Sequence, residues 1–181
     1  MSVSADDLFE QLESQAAAQQ GPPVGSWHPQ RSGVIDIRID HDGQWWHEGR
    51  RFQRDKLVSL FAQVMRREGN TYYLVTPVEK LAIQVADVPF LVVDMDVRGQ
   101  QQQTDLLFTT NVGDLVVADQ HHPLYMRNAV PYLMVRDGLE ARLSRSVYYR
   151  LAQMVDLVDD KNGATYTVYS KGCAFQLDID S

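Results

Sequence analysis

The sequence predicts an α+β fold, built as two similar strand–helix–hairpin modules around antiparallel sheet. Three observations predict it. From Val34 the apolar residues recur every second position, with Ile35, Ile37 and Ile39 alternating with Asp36, Arg38 and Asp40, the period of a half-buried strand. Two later stretches, 55–68 and 144–158, carry apolar residues at helical spacing. The elements around those stretches then repeat at near-constant offset. Gly138 follows Gly49 by 89 positions, Leu151-Ala152 follows Phe61-Ala62 by 90, and Phe175-Gln176-Leu177 follows Ile83-Gln84-Val85 by 92. Constant offsets with small insertions are what a duplicated module leaves behind.

Each element has a local reason. Ser4 and Asp7 have capping-box spacing, and Leu8, Phe9, Leu12 and Ala16 follow at helical spacing, so 5–19 reads as a short amphipathic helix. Gln19 to Pro29 holds three prolines and two glycines and reads as a linker, because proline removes the helical donor. Asp42-Gly43 turns the first strand into a second at Gln44–His47, and Glu48-Gly49 is another turn. Asp55 is positioned to cap the helix 55–68, whose stripe is Leu57, Leu60, Phe61, Val64 and Met65, with Gly69-Asn70 as its C-cap. Tyr72–Val75 and Leu81–Val85 read as paired strands. Three runs at 90–98, 106–110 and 115–118 read as a meander, and Pro131–Arg136 as a further strand turned by Asp137-Gly138. Ser144 caps the helix 144–158, and strands at 166–169 and 174–179 close the chain through Lys171-Gly172. The expected organisation is an N-terminal helix and linker (1–30), a first module (31–90) and a second (91–181).

Composition excludes several functions. The 181 residues hold 17 Lys plus Arg against 24 Asp plus Glu, a net charge of −7. A surface of that sign disfavours DNA and anionic membranes as partners. A single cysteine, Cys173, excludes an internal disulfide and a four-cysteine zinc site. The acidic start does not read as a signal peptide and no apolar run approaches membrane-spanning length, so a cytoplasmic setting is expected. No nucleophile elbow, phosphate-binding P-loop or dinucleotide fingerprint is present, and no cofactor is expected. Asp119, His121 and His122 lack a metal-ligand pattern, so no metal is expected; His122-Pro123 reads first as a strand-to-loop boundary.

Two stretches carry candidate binding chemistry. Thr76-Pro77-Val78-Glu79-Lys80 would present a hydroxyl, a carboxylate and an ammonium at one turn, or simply be a hairpin with solvated charges. Between Tyr125 and Arg150 five arginines face two acids, a local net of +3 inside an acidic chain. There Arg136 and Arg142 are suited to phosphate, with Glu140 orienting them or merely pairing with one. Trp27, Trp45 and Trp46, with Tyr72, Tyr73, Tyr148 and Tyr149, could stack a base or pack in the core.

Several blocks together resemble a known family, the bacterial proteins catalogued as domain of unknown function 1285. They are Asp42-Gly43-Gln44-Trp45, Leu57–Ala62, Leu74–Lys80, Thr109–Asp114, His122-Pro123-Leu124 and Val135–Leu143. The resemblance spans about Gly33 to Leu177 and leaves the N-terminal helix outside. It implies a duplicated α+β core with a second half similar to pleckstrin-homology folds. It also implies a pocket between the halves for a nucleotide-like ligand, and a role in signal transduction. The expected function is a module that binds a small anionic molecule, with Arg54, Lys80, Arg136 and Arg142 on phosphate, Glu79 and Glu140 orienting them, and Thr76, Asn111 and His122 completing the lining. Two alternatives stand beside it. One is a hydrolase or transferase using Glu79 or Glu140 as base and His122 as acid. The other is an adaptor whose N-terminal helix binds a protein partner.

Overall fold

A computed structural model describes residues 22–100, 103–160 and 163–177, together with Leu8 and Leu12. The chain divides into two compact units, Met1–Pro89 and Phe90–Ser181. Each is described by itself.

In the first unit, strands β1 (Arg31–Ile39), β2 (Trp45–His47) and β3 (Arg50–Arg51) precede helix α1 (Asp55–Gln63). Strands β4 (Met65–Glu68), β5 (Thr71–Val75) and β6 (Glu79–Val85) follow it. All six form one sheet in the order β3-β2-β1-β6-β5-β4, with β1 and β6 parallel. Ile35, Ile37 and Ile39 point inward with Leu74, Leu81 and Ile83, and Leu57, Phe61 and Ala62 of α1 are buried as well. The predicted linker holds a 3-10 turn at Val24–Ser26, and Arg66 donates to the carbonyls of Val24 (3.3 Å) and Trp27 (2.8 Å). Leu8 and Leu12, on the predicted N-terminal stripe, are helical and fully buried. The rest of that predicted helix, and with it the adaptor surface, lies outside the described residues.

The second unit contains β7 (Phe90–Arg98), β8 (Asp105–Thr110), β9 (Leu115–Val117), β10 (Leu124–Arg127), β11 (Val130–Arg136) and β12 (Leu139–Leu143). They form a sheet in the order β10-β11-β12-β7-β8-β9, with β12 and β7 parallel. Helix α2 (Arg145–Ala152) follows, capped by Ser144, whose Oγ accepts from the Val147 amide at 3.4 Å. Strands β13 (Asp156–Asp160), β14 (Gly163–Ser170) and β15 (Cys173–Leu177) make a separate antiparallel sheet. No helix among the described residues is long and apolar enough to cross a membrane.

The α+β expectation is corrected: the described residues are 53% strand and 15% helix, arranged in three sheets. Both predicted helices are too long. Met65–Glu68 leaves the helical stripe to pair with Thr71–Leu74, so Gly69, at φ 59°, turns a hairpin instead of capping a helix. The same positive φ serves either purpose, and strand pairing chose. Asp156–Asp160 likewise leaves the second helix to pair with β14. Asp55 is the first residue of α1 and not its cap; Arg54 holds that position, without a side-chain capping bond. The strand–helix–hairpin module fails as a repeating unit too. After α1 three strands complete a six-stranded sheet, whereas after α2 three strands stand apart. The pleckstrin-homology-like expectation for the second half falls with it, replaced by a mixed six-stranded sheet and a three-stranded one.

One loop gives a direct test of the backbone. Gly99 has φ 84°, and a Cβ there would lie 2.1 Å from the Gln103 carbonyl oxygen. Gly99→Ala should therefore destabilise the protein by about 1–3 kcal/mol, read by urea denaturation. An unchanged midpoint would show that the loop relaxes freely.

Candidate functional site

Beside α1 the β2–β3 ribbon forms the side of a pocket. Glu48 (φ 47°) and Gly49 (φ 75°) make the two-residue turn, placing His47 opposite Arg50 and Trp46 opposite Arg51. The Phe52 amide donates to the Trp45 carbonyl at 2.9 Å and continues the ladder. Its ring stacks on His47 (centroids 5.9 Å, 19°) and meets Phe61 edge-on (5.8 Å, 76°). Phe61 in turn stacks with buried Trp45 (6.3 Å, 25°). This aromatic chain pins the ribbon to the helix. Where the chain enters α1, the Arg54 carbonyl accepts from the amides of Leu57 (3.1 Å) and Val58 (3.2 Å).

The resulting pocket has a volume of about 550 Å³, and its lining includes His47, Arg50, Arg51, Phe52, Arg54 and one acid, Glu48. Arg50, Arg51 and Arg54 are exposed, and none has a side-chain ion pair or hydrogen bond among the described residues. Of these cations, sequence reading singled out only Arg54. The signal for the others was present: Arg50, Arg51, Arg54 and Lys56 lie within seven positions.

The remaining first-unit candidates are engaged elsewhere. Thr76 is buried, and its Oγ accepts from the amides of Glu79 (3.1 Å) and Val78 (3.4 Å), closing the turn before β6. Glu79 is 7% exposed and shares the inner face of β6 with Leu81 and Ile83. Lys80, the next residue on the strand, faces the other way. Its Nζ lies 2.5 Å from Glu68 Oε2 and 4.8 Å from the Tyr73 ring centroid. Thus Glu79 and Lys80, adjacent in sequence, do not converge.

The Lys80 hydrogen bond, outweighing partial desolvation and helped by Arg66, holds the Glu68 carboxyl below its ordinary range. A lowered carboxyl pKa stabilises the fold above the unfolded value, and the contribution is lost as pH falls through the folded value. The melting temperature of Glu68→Gln should therefore lie below wild type at neutral pH and converge with it in acid. A gap independent of pH would refute the pairing.

In the second unit Asn111 is a structural clamp: its Oδ1 accepts from the Leu91 amide (3.0 Å) and its own amide donates to the Leu91 carbonyl (2.8 Å). His122 and Arg136 do come together, on a pocket of about 240 Å³ lined also by Asp114 and Asp119. Arg136 lies 2.8 Å from Asp114 Oδ2 and over the Phe90 ring at 5.2 Å. His122 Nδ1 lies 3.0 Å from Asp119 Oδ1, which also accepts the amides of His121 (2.8 Å) and His122 (2.9 Å). Desolvation opposes ionisation of Asp119, but those hydrogen bonds outweigh it and lower its pKa. Arg136 and His122 thus each already face a carboxylate.

Glu140 and Arg142 sit elsewhere. A bulge between Met134 and Arg136 puts Arg136 opposite Leu139, whereas Met134 opposes Glu140 and Tyr132 opposes Arg142. The bulge turns Arg136 to the face of Leu139 and Ala141, away from Glu140 and Arg142. Glu140 accepts a hydrogen bond from the Tyr125 hydroxyl and lies 3.3 Å from Arg127, whose guanidinium covers Tyr132 at 4.0 Å. Among the described residues no three His, Cys, Asp or Glu side chains cluster as metal ligands.

Comparison with known proteins bears on this geometry. Residues 22–88 match the family model "Domain of unknown function (DUF1285), N-terminal domain", and residues 89–177 match "Protein of unknown function (DUF1285), C-terminal domain". A crystal structure of a DUF1285 family protein from Silicibacter pomeroyi DSS-3 is similar at TM-score 0.82 and 39% identity, over 92% of this chain and 93% of that one. Another, from Shewanella baltica OS155, is similar at TM-score 0.55 and 31% identity, over 66% of this chain and 92% of that one. No curated protein matches. With both halves matched in order by the two models, the chain belongs to the DUF1285 family.

Proposed function

We propose that this protein binds a small, phosphate-bearing anion in the arginine pocket formed by the β2–β3 ribbon and the start of α1. One observation carries the reading. Three exposed arginines line one pocket, and among the described residues no carboxylate is bonded to their side chains, in a chain of net charge −7. Guanidinium forks bind phosphate bidentately, and one not already held by a carboxylate gives up no ion pair on taking it. Arg136 and Lys80, by contrast, would have to give up Asp114 and Glu68. The family resemblance implies a nucleotide-like ligand held between the halves and a signalling output; the ligand class and the output are carried over here, and the site proposed for them is the first unit's own pocket.

Calorimetric titration with inorganic pyrophosphate at low salt tests the site. Saturable binding that weakens steeply with added salt is expected. Absence of heat at millimolar pyrophosphate would overturn the reading.

A further inference from the structure

The pocket has a neighbour on the solvent face of the same sheet. Register places Arg51 opposite Trp46, Trp46 opposite Arg38 and Arg38 opposite Gln84, a straight row across β3, β2, β1 and β6. Ile37 and Ile39 alternate with Arg38 and are buried, so this row lies on the face away from the core. Arg38, Arg51 and Gln84 are exposed and Trp46 is half-buried.

The indole is held in place. Its Nε1 donates to Asp40 Oδ2 at 2.8 Å, while Asp40 Oδ1 accepts from the amides of Asp42 (3.0 Å) and Gln44 (2.9 Å). The Arg38 guanidinium lies over the ring at 5.4 Å. Arg38 also faces Asp40, whereas the Arg51 side chain has no ion pair or hydrogen bond among the described residues. Arg51 lines the pocket as well. It therefore borders both the arginine-lined pocket and the preoriented aromatic surface. Directly opposed residues in an antiparallel pair hold their Cβ atoms about 4.5–5.5 Å apart. The Arg51 and Trp46 side chains thus leave the ribbon as neighbours on one face.

Resting on the reading of the arginine pocket as an anion site, we propose that Trp46, flanked in register by Arg38 and Arg51, is a stacking residue that selects ligands carrying a planar ring next to their phosphate. Indole and guanidinium planes both stack on flat rings without needing specific hydrogen bonds, so the ring's identity is read loosely and its presence strongly.

The test compares adenosine 5′-monophosphate and phenyl phosphate with ribose 5-phosphate and inorganic phosphate, by calorimetry on wild type, Trp46→Leu and Trp46→Phe. Ring-bearing probes should bind wild type about tenfold or more tightly than ribose 5-phosphate. Trp46→Leu should bring the ring-bearing probes to within about threefold of ribose 5-phosphate. Should Trp46→Leu fail to fold, Trp46→Phe decides by fluorescence: adenosine 5′-monophosphate should quench the wild-type indole emission, and the quenching should disappear in the variant. Equal affinities in wild type, a preference that survives Trp46→Leu, or quenching that persists in Trp46→Phe overturns the stacking role while leaving the anion site standing. If none of the four phosphates binds wild type, both readings fall.

Discussion

Replacing Arg50, Arg51 and Arg54 together with alanine should weaken pyrophosphate binding by about 100-fold or more, with little change in stability. Hydrogen bonds to charged groups contribute about 1.5–3 kcal/mol each, and every 1.4 kcal/mol is tenfold in affinity. The three contacts are not additive, so the loss corresponds to about two of them. Stability should hold because these side chains are exposed and make no ion pair or hydrogen bond among the described residues. Surface changes of that kind usually stay within about 0.5 kcal/mol apiece. Lys80→Met is the matched control. It removes a cation tied to Glu68, and pyrophosphate affinity should not move. A triple variant that binds within threefold of wild type, or a Lys80→Met protein that loses as much, would place the anion elsewhere.

Phe61→Ala should cost about 3–5 kcal/mol of stability and loosen the pocket without touching the ligand. Phe61 is fully buried and lies between Trp45 and Phe52, the two residues that connect the ribbon to α1. Its removal leaves a cavity where the ribbon is anchored, so the spacing between Arg51 on the strand and Arg54 at the helix start is no longer held. Denaturant midpoints should fall, and pyrophosphate affinity measured well below the transition should fall with them. Leu151→Ala, at an equally buried position of α2 in the other unit, should cost about 2–5 kcal/mol while leaving affinity intact. Equal affinity losses in both variants would mean that global destabilisation, not the local anchor, sets binding.

The contrast between correctly and incorrectly read elements has a physical pattern. Strands with clean alternation, such as β1, and hairpin turns at Glu48-Gly49 and Asp137-Gly138 were legible, because side-chain period and positive φ are local properties. Leu139-Glu-Ala-Arg-Leu143 was not read as a strand. It contains good helix formers, yet it lies between β11 and β7 and extends because both neighbours offer ladder partners. The truncation of both helices has the same origin, since Met65–Glu68 and Asp156–Asp160 exchange helical bonds for pairing with strands that follow them.

For the site, the order of residues sets which charges exist and where they are dense, including the run from Arg50 to Lys56 and the +3 stretch from Tyr125 to Arg150. Folding selects which of those charges remain available. Asp114 takes Arg136 and Glu68 takes Lys80 from partners 22 and 12 positions away, and a single bulge parts Arg136 from Arg142. Among the described residues, Arg50, Arg51 and Arg54 meet no such partner. Charge and period are properties of the residues in order along the chain. Neutralisation depends on which side chains folding brings within about 3 Å of one another, and strand pairing across the sheets sets that.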